Sequence, residues 1–300
     1  MPIDPSQLAA LAAIVRHGSF DAAAAELGVT PSAISQRIKA LEERIGTALI
    51  YRGHPCSPTV AGTRLARHAD DVALLEAHVL DGLAPDLAGQ TPRVRVAVNA
   101  DSLATWFVTG LVQAEGMLFD LVIDDQDTST DWLLRGAVSA AVTGQAQPVS
   151  GCNCQPLGAL RYVATASPAF FDRWFPDGVT TGGLARAPMM TFNEKDRLQH
   201  RWITRLTGER LTPPTHQLPS THAFVDAARA GLAWGLNPLS LVRTDLDRGT
   251  LVALVPDKPL DVELFWQTSR LMQRSLAPLS RTIKAAARSS LVKPSHTSVK

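Results

Sequence analysis

Apolar residues recur every three or four positions in three short segments that open the chain, and each segment ends at a glycine. This spacing places the apolar side chains on one face of an α-helix, and glycine commonly follows the last helical residue. The pattern predicts helices that end before Gly18, Gly28 and Gly46, with Ser19 and Thr30 capping the second and third. Two short helices joined by a tight turn are typical of a helix-turn-helix.

After the third helix, the pattern predicts a wing and then one long helix. Residues 47–52 form a short strand candidate, and a segment bearing proline and glycine follows at 53–58. From about Thr59 to Leu83, apolar residues are spaced by sevens, threes and fours, which predicts a helix that buries this stripe against a partner helix. The residues that we expect to form a dimer interface are Leu65, Val72, Leu75, Val79 and Leu83.

Beyond Pro92, short strand patterns alternate with helical patterns. This alternation predicts an α/β architecture with mostly parallel sheets. We predict an all-α winged helix-turn-helix domain over residues 1–60, followed by a linker helix and hinge over 61–92. The α/β region, which forms one domain or two lobes, covers 93–290, and residues 291–300 are expected to be a disordered tail.

The third predicted helix has an apolar stripe on one side and short polar side chains on the other. Hydroxyls, an amide and a cation suit the major groove, where Gln36 can pair with adenine and serines can reach phosphates or base edges. The predicted DNA-binding residues are Ser19, Thr30, Pro31, Ser32, Ser35, Gln36, Arg37, Lys39 and Arg52. The alternative is a small three-helix domain whose polar outer face has no role in DNA binding.

Charged residues nearly balance over the whole chain, with 29 Lys and Arg against 28 Asp and Glu and a formal net charge of +1. Such a balance is not typical of nucleic-acid-binding proteins, which are usually basic. The average hides local differences, because the linker helix is acidic and the last twenty residues are basic, whereas residues 1–60 are nearly neutral. We therefore expect one copy of residues 1–60 to bind DNA weakly, so that dimerisation matters.

Residues 20–42, FDAAAAELGVTPSAISQRIKALE, strongly resemble the winged helix of LysR-type transcriptional regulators. The resemblance continues through the wing and the linker helix and covers nearly the whole chain. AVNADSLATW at 97–106 and LGALRYV at 157–163 look like the branch of this family that senses lysine and arginine and controls a basic amino-acid exporter gene.

The resemblance implies a homodimer or homotetramer and a two-lobed effector domain like that of a periplasmic binding protein. It implies double-stranded DNA and a basic amino acid as partners, with RNA polymerase as a further one. We expect a cytoplasmic protein without a membrane partner, because no run approaches the ~20 apolar residues of a membrane span. Arg16 also closes the first apolar stretch, which is not typical of a signal peptide.

Polar residues follow the first predicted strand of the α/β region, at the strand end where ligands of such folds bind. There Ser102 can hold a carboxylate and Asp101 an ammonium, and aspartates after the second strand suit a cationic ligand. The predicted effector-binding residues are Asn99, Asp101, Ser102, Asp125, Thr128, Thr143 and Asn193. The alternative is that Asp101 and Ser102 only cap a helix and that the aspartates form a solvated loop.

Motifs of catalysis and metal binding are missing from the sequence. It has no nucleophile elbow, no zinc-protease helix and no Walker A loop, and its eight histidines lack metal-ligand spacing. We therefore predict no enzymatic activity, no cofactor and no metal. The competing functions are a LysR-type regulator with a different effector and a small-molecule-binding protein without a DNA role. The second would need an export signal and would not need the first 90 residues.

Overall fold

The computed structural model of the chain describes residues 3–83, 91–124 and 129–293. Its N-terminal part, here called the reading head, contains three helices and a wing of two antiparallel strands. These elements are α1 (Pro5–His17), α2 (Phe20–Leu27), α3 (Pro31–Ile45), β1 (Ile50–Tyr51) and β2 (Ser57–Pro58). Their buried apolar side chains form one core, which includes Leu11, Ile14, Ile34, Ile38, Leu41 and Leu49.

Short-range hydrogen bonds explain where the helices of the reading head begin and end. The Ser19 hydroxyl accepts from the Ala22 N–H at 3.3 Å, and the Thr30 hydroxyl accepts from the Ala33 N–H at 3.2 Å. Each helix is followed by a glycine in the left-handed conformation, as at Gly18 with φ 65°. The helices and the wing predicted from the apolar pattern are therefore confirmed.

The long helix α4 (Val60–Leu83) packs against α1 and also reaches the effector domain. Its apolar stripe has more than one neighbour within the chain, because Leu65 packs on the core of the reading head and Leu75 on the core of the effector domain. By contrast, Val79 and Leu83 are 56% and 77% exposed. The exposed part of the predicted dimer interface is thus the C-terminal end of α4.

The effector domain contains both strands and helices, which alternate along much of the described chain. Its strands are β3 (Arg93–Val98), β4 (Leu118–Ile123), β5 (Ala140–Thr143), β6 (Cys152–Ala166), β7 (Met189–Thr191), β8 (Thr215–Gln217), β9 (Gly235–Pro238), β10 (Val252–Ala253) and β11 (Leu260–Ser269). Its helices are α5 (Ala100–Ser102), α6 (Val108–Val112), α7 (Ser129–Leu134), α8 (Pro168–Trp174), α9 (Thr181–Arg186), α10 (Leu198–Thr207), α11 (Thr221–Arg229), α12 (Leu239–Arg248) and α13 (Ala277–Ser290), and a π-helical turn (Leu103–Phe107) joins α5 to α6.

One mixed sheet of seven strands runs through the effector domain in the order β10-β6-β11-β5-β3-β4, with β9 also paired to β6. The prediction of mostly parallel sheets is wrong. Strand β3 is parallel to β4 and β5, but β11 is antiparallel to both β5 and β6, and β6 is antiparallel to β9 and β10. The reason is that two long strands cross the domain in opposite directions, and the short-strand pattern of the sequence did not reveal β6.

The two crossing strands divide the effector domain into two lobes, as the family resemblance implied. The first lobe is formed around β3, β4 and β5, and the second around β7, β8 and β9 with helices α8 to α12. Both lobes share β6 and β11, so the sheet is continuous between them. Within the described residues, no helix has the length and apolar character that a membrane span requires.

Gly62, in the first turn of α4, lies against the backbone of the reading head. A methyl group on its Cα would stand 1.9 Å from the Leu49 carbonyl oxygen, which belongs to the backbone next to β1 and has no freedom to move aside. We therefore expect Gly62→Ala to lower the free energy of unfolding by about 1–3 kcal/mol, as overpacking does elsewhere.

Gly182 in α9 supplies the control, because a methyl group there would have no neighbour within 4 Å. Gly182→Ala should stabilise the helix slightly, by about 0.5–1 kcal/mol. Urea unfolding of the two variants beside the parent protein measures both effects. Equal stability of the two variants would contradict the close packing of α4 on the wing.

Candidate functional site

Helix α3 presents its polar side away from the core of the reading head. Ile34 and Ile38 are fully buried, whereas Ser32, Gln36 and Lys39 are exposed. The predicted residues Pro31, Ser35 and Arg37 belong to the same helix, the first exposed and the other two half-buried. The chain therefore offers a continuous strip of short polar side chains that could enter a groove of DNA.

Hydrogen bonds within the chain engage three polar side chains at or beside this strip, those of Glu42, Ser19 and Thr30. The Glu42 carboxylate accepts from the backbone N–H groups of Leu49 and Ile50 at 2.8 and 3.3 Å, so it is turned towards the wing. The hydroxyls of Ser19 and Thr30 cap α2 and α3, which occupies them as acceptors within the chain. Their predicted DNA contacts would thus be made in addition to a capping role.

The wing is fixed to α2 through Arg52. Its guanidinium carbon lies 5.8 Å from the centre of the Phe20 ring, which is a cation–π distance. The positive charge therefore stays beside the start of α2 and next to the helix-turn-helix. On α3, the Nζ atom of Lys39 lies 3.8 Å from Oε1 of Glu43, one helical turn away. Both side chains are exposed, so this ion pair adds little to the stability of the fold.

The second candidate site is a cleft between the two lobes of the effector domain, centred on Asp101. One carboxylate oxygen, Oδ2, accepts from the Tyr162 hydroxyl at 2.7 Å, and the other, Oδ1, accepts from the Thr221 hydroxyl at 2.7 Å. Tyr162 lies on the crossing strand β6, and Thr221 begins α11 in the second lobe. Burial raises the pKa of Asp101, although both hydroxyl hydrogen bonds lower it in part.

Asp101 does not cap the helix in which it lies. The position before α5 is held by Asn99, and no side chain there makes a capping hydrogen bond. The proposal that Asp101 and Ser102 serve only as a cap is therefore wrong for Asp101, whose carboxylate joins two other elements of the domain.

Several buried polar atoms around Asp101 have no hydrogen-bond partner among the described residues. They are Asn99 Oδ1, Ser102 Oγ, Gln199 Oε1 and Asn237 Oδ1. Buried polar groups are nearly always hydrogen-bonded in folded proteins. Such a concentration of unused polar atoms at one cleft is typical of a place where a polar ligand binds.

Two adjoining cavities of about 120 and 20 Å³ form the cleft. Asp101 and Asp196 line both cavities, and Asp124 lines the larger one. Among the described residues that line these cavities, none is a lysine or an arginine. The cleft therefore gathers three carboxylates without a basic side chain, a lining that favours a cationic ligand.

The structure brings together some of the predicted effector residues and leaves out others. Asn99, Asp101 and Asn193 line the larger cavity, whereas Ser102 is fully buried next to Asp101 in the chain and lines neither cavity. Thr143 does not line the cleft, because its hydroxyl donates to the Gln145 carbonyl and accepts from the buried Gln267 amide. Asp125 and Thr128 lie outside the described residues, so their predicted role stays a prediction.

Besides Asp124 and Asn237, four further polar residues of the cleft were not among the predicted effector contacts. They are Tyr162, Asp196, Gln199 and Thr221. A signal existed for Tyr162, which belongs to the segment 157–163 that carries the resemblance. No pattern in the sequence marks Asp196 as a site residue. Its carboxylate accepts from the N–H groups of Phe192 and Leu198, and these hydrogen bonds shape the loop that brings it to the cleft.

Comparison with known proteins links both sites to one family. Residues 5–63 match the bacterial regulatory helix-turn-helix proteins of the lysR family, and residues 87–288 match the LysR substrate binding domain. The chain is 44% identical over 285 residues to the HTH-type transcriptional regulator LysG of Mycobacterium tuberculosis, covering 95% of this chain and 94% of the relative. It is also 44% identical over 268 residues to the HTH-type transcriptional regulator ArgP of Pseudomonas fluorescens, covering 88% and 90%.

Solved structures of related regulators superpose on nearly the full length of this chain. The crystal structure of ArgP from Mycobacterium tuberculosis superposes with a TM-score of 0.78 at 43% identity, covering 98% of this chain and 100% of that one. Full-length LysG from Corynebacterium glutamicum with bound effector Arg gives a TM-score of 0.65 at 35% identity, covering 97% and 100%. These relatives are transcriptional regulators and not enzymes. The chain accordingly belongs to the LysR family of DNA-binding helix-turn-helix transcriptional regulators.

Proposed function

We propose that this regulator senses a basic amino acid, lysine or arginine, in the cleft between its lobes. The observation that carries the proposal is the set of three carboxylates, Asp101, Asp124 and Asp196, around cavities without a basic lining residue. A cationic side chain and an α-ammonium would both be attracted there. The bound Arg in the related LysG from Corynebacterium glutamicum supports the same class of effector.

The α-amino-acid end of the effector would bind near the start of α5. Asp101 would pair with the α-ammonium, and the unused hydroxyl of Ser102 would donate to the α-carboxylate. Asn99 offers a further unused oxygen beside them, and Asn193 lines the same cavity. The side-chain cation would then point towards Asp124 and Asp196.

Effector binding would change how far the two lobes are closed. The hydrogen bond between Asp101 of the first lobe and Thr221 of the second already spans the cleft. A ligand that pairs with Asp101 competes with this bond or adds to it, and so it favours one degree of closure over another. Movement of the first lobe would pass to α4, because Leu75 packs on the core of the effector domain.

DNA binding would use two reading heads of a homodimer, or of a homotetramer built from dimers. Helix α3 would lie in the major groove of each half-site, with Arg52 of the wing near the backbone. A change in linker geometry would alter the spacing or the bend of the DNA and with it the action of RNA polymerase. A gene for an exporter of basic amino acids is the target that we propose.

A screen of the twenty amino acids by thermal shift tests the effector class. We expect lysine or arginine to raise the melting temperature through the cleft, because they complement its carboxylates. The Asp101→Asn variant should lose this shift while it retains specific binding to DNA in a gel-shift assay. Asp172→Asn, which changes an exposed carboxylate on α8, should behave like the parent protein.

Two results would contradict the assignment. Stabilisation by an acidic or aromatic amino acid that Asp101→Asn abolishes would leave the LysR-type regulator with a different effector. An unchanged ligand titration in Asp101→Asn would show that another carboxylate binds the ammonium.

Substitutions on α3 should separate sequence recognition from attraction to the DNA backbone. Gln36→Ala should weaken binding to the specific operator by about 1–3 kcal/mol and relax base preference, because Gln36 is exposed and can pair with a base. Arg37→Ala should weaken binding to all sequences and reduce the dependence of affinity on salt concentration.

Fluorescence anisotropy with specific and random duplexes at several salt concentrations measures both effects. The exposed Gln113 after α6 supplies a control, and Gln113→Ala should leave both affinities unchanged. Equal losses on specific and random DNA in Gln36→Ala would refute its role in base recognition.

Charges at the end of α4 should separate the protomers of the dimer. Val79→Asp together with Leu83→Asp places carboxylates on side chains that are 56% and 77% exposed in one chain, so the fold of the single chain should survive. We expect sedimentation equilibrium to show a shift towards monomer. Val60→Asp, at an 84% exposed position at the start of the same helix, is the matched control. A dimer that survives the double substitution would mean that the stripe does not join the protomers.

A further inference from the structure

A second cavity lies where the reading head meets the effector domain, away from the cleft. Its volume is about 440 Å³, within the range of about 300–1,000 Å³ that is usual for small-molecule sites. One wall comes from α1 and α4, and the other from β3, β4 and the turn before β5. We refer to it as the junction cavity, and the charged residues on its walls are Arg16, Arg67, Asp70, Asp71, Arg93, Arg95 and Asp120.

The junction cavity and the cleft lie at opposite ends of the same strand. Arg93 and Arg95, in the first half of β3, line the junction cavity, whereas Asn99 directly after β3 lines the cleft. Six residues of extended strand span about 20 Å. One effector molecule cannot fill both, so the junction cavity would be a site of its own.

Two of the arginines on the walls are already paired with acidic side chains. Arg16 Nη1 lies 2.7 Å from Glu26 Oε1, and Arg95 Nε lies 3.0 Å from Asp120 Oδ2. Arg95 also lies over the Trp132 ring at 5.9 Å, which holds its guanidinium in place. Arg16 and Arg95 are therefore held in place by pairs within the chain. The charged residues of the cavity wall that lack such a pair in the described part of the chain include Arg67 and Asp70 of α4.

Two charged side chains of α4 on the cavity wall, Arg67 and Asp70, have no direct hydrogen bond or ion pair among the described residues. Arg67 Nε is buried and has no hydrogen-bond partner among the described residues, and Asp70 forms neither a hydrogen bond nor an ion pair there. Burial lowers the pKa of Arg67, with a smaller contribution from Arg95, and burial also raises the pKa of Asp70. Arg16 and Arg93 attract the Asp70 carboxylate and lower its pKa in part, but neither forms an ion pair with it among the described residues.

We propose that the junction cavity binds an amino acid as a second, regulatory ligand, with its carboxylate on Arg67 and its ammonium on Asp70. A simple anion would leave Asp70 without a partner, and a simple cation would leave Arg67 without one. A dipolar ligand compensates both, which is why the class of α-amino acids fits best. Apolar wall residues, among them Val15, Phe119 and Val138, can accept its side chain.

Occupation of the junction cavity would act directly on the reading head. The Ser139 hydroxyl already donates to Asp71 Oδ1 at 3.2 Å, which joins the effector domain to α4. A ligand bound beside this contact would hold the reading head against the first lobe. Its binding and DNA binding would then be coupled, each changing the affinity of the other.

The number of ligands bound by the full-length protein tests the proposal. We expect isothermal titration with the twenty amino acids to find two equivalents per chain, whether of one amino acid or of two. Asp101→Asn should lose the cleft equivalent only. Arg67→Gln and, as a second variant, Asp70→Asn should each weaken the other equivalent by about tenfold or more, because hydrogen bonds to charged groups are strong.

Arg64→Gln is the matched control, since Arg64 is exposed on the same helix and does not line the junction cavity. It should retain both equivalents, and circular dichroism should confirm that all variants are folded. A single equivalent in the parent protein that Asp101→Asn abolishes would overturn the proposal. So would a second equivalent that survives both Arg67→Gln and Asp70→Asn. A single equivalent that survives Asp101→Asn and is weakened by Arg67→Gln and Asp70→Asn would instead contradict the proposed effector site and leave the junction site standing.

Discussion

The ladder between β6 and β11 is the constraint on which the rest of the effector domain depends. Both strands pass through the two lobes, so the walls of the cleft are carried by the same continuous pair of strands. Tyr162 of β6 contacts Asp101 of the first lobe while the next residue, Val163, pairs with Asn237 of β9 in the second. Because the strands cannot slide without breaking their ladder, the lobes can close only by bending it. The regular pairing of β6 and β11 is already interrupted by the register shift between Leu264 and Phe265, so bending there would disturb the ladder least.

Local signals made the reading head predictable from the sequence. Its helices are short, each has a glycine at its end, and their caps lie within three residues of the groups they bind. The effector domain is different, because its central strand has no such local signal. Strand β6 is buried on both faces along its second half, from Tyr162 to Ala166, and so it lacks the alternation that marks a half-exposed strand. Its pairing with β11 joins positions about a hundred residues apart, as the Arg161–Asp261 ion pair illustrates. The parallel sheet expected from the alternating pattern was wrong for this reason.

The candidate cleft could be predicted in part. The rule that ligands bind at the carboxyl ends of parallel strands identified Asn99 and Asp101, which follow β3 directly. The same rule failed for Thr143, since the direction of its side chain depends on the buried Gln267 of a distant strand. Tyr162 and Thr221 reach Asp101 from 61 and 120 residues away, and no spacing in the sequence reveals such contacts.

A net charge of +1 describes this chain poorly, because the fold separates charges that the sequence mixes. Glu42 turns inward to the wing backbone, which leaves the groove-facing side of α3 less acidic than its sequence implies. Three carboxylates of the effector domain, Asp101, Asp124 and Asp196, meet at the cleft, whereas both arginines and aspartates line the junction cavity. Since β3 connects the two places, it offers a rigid path by which a change at the cleft end, under the proposed function, would reach the helix that holds the reading head. In that scheme charge would bear on regulation through its position along β3, and the total for the chain carries almost none of that information.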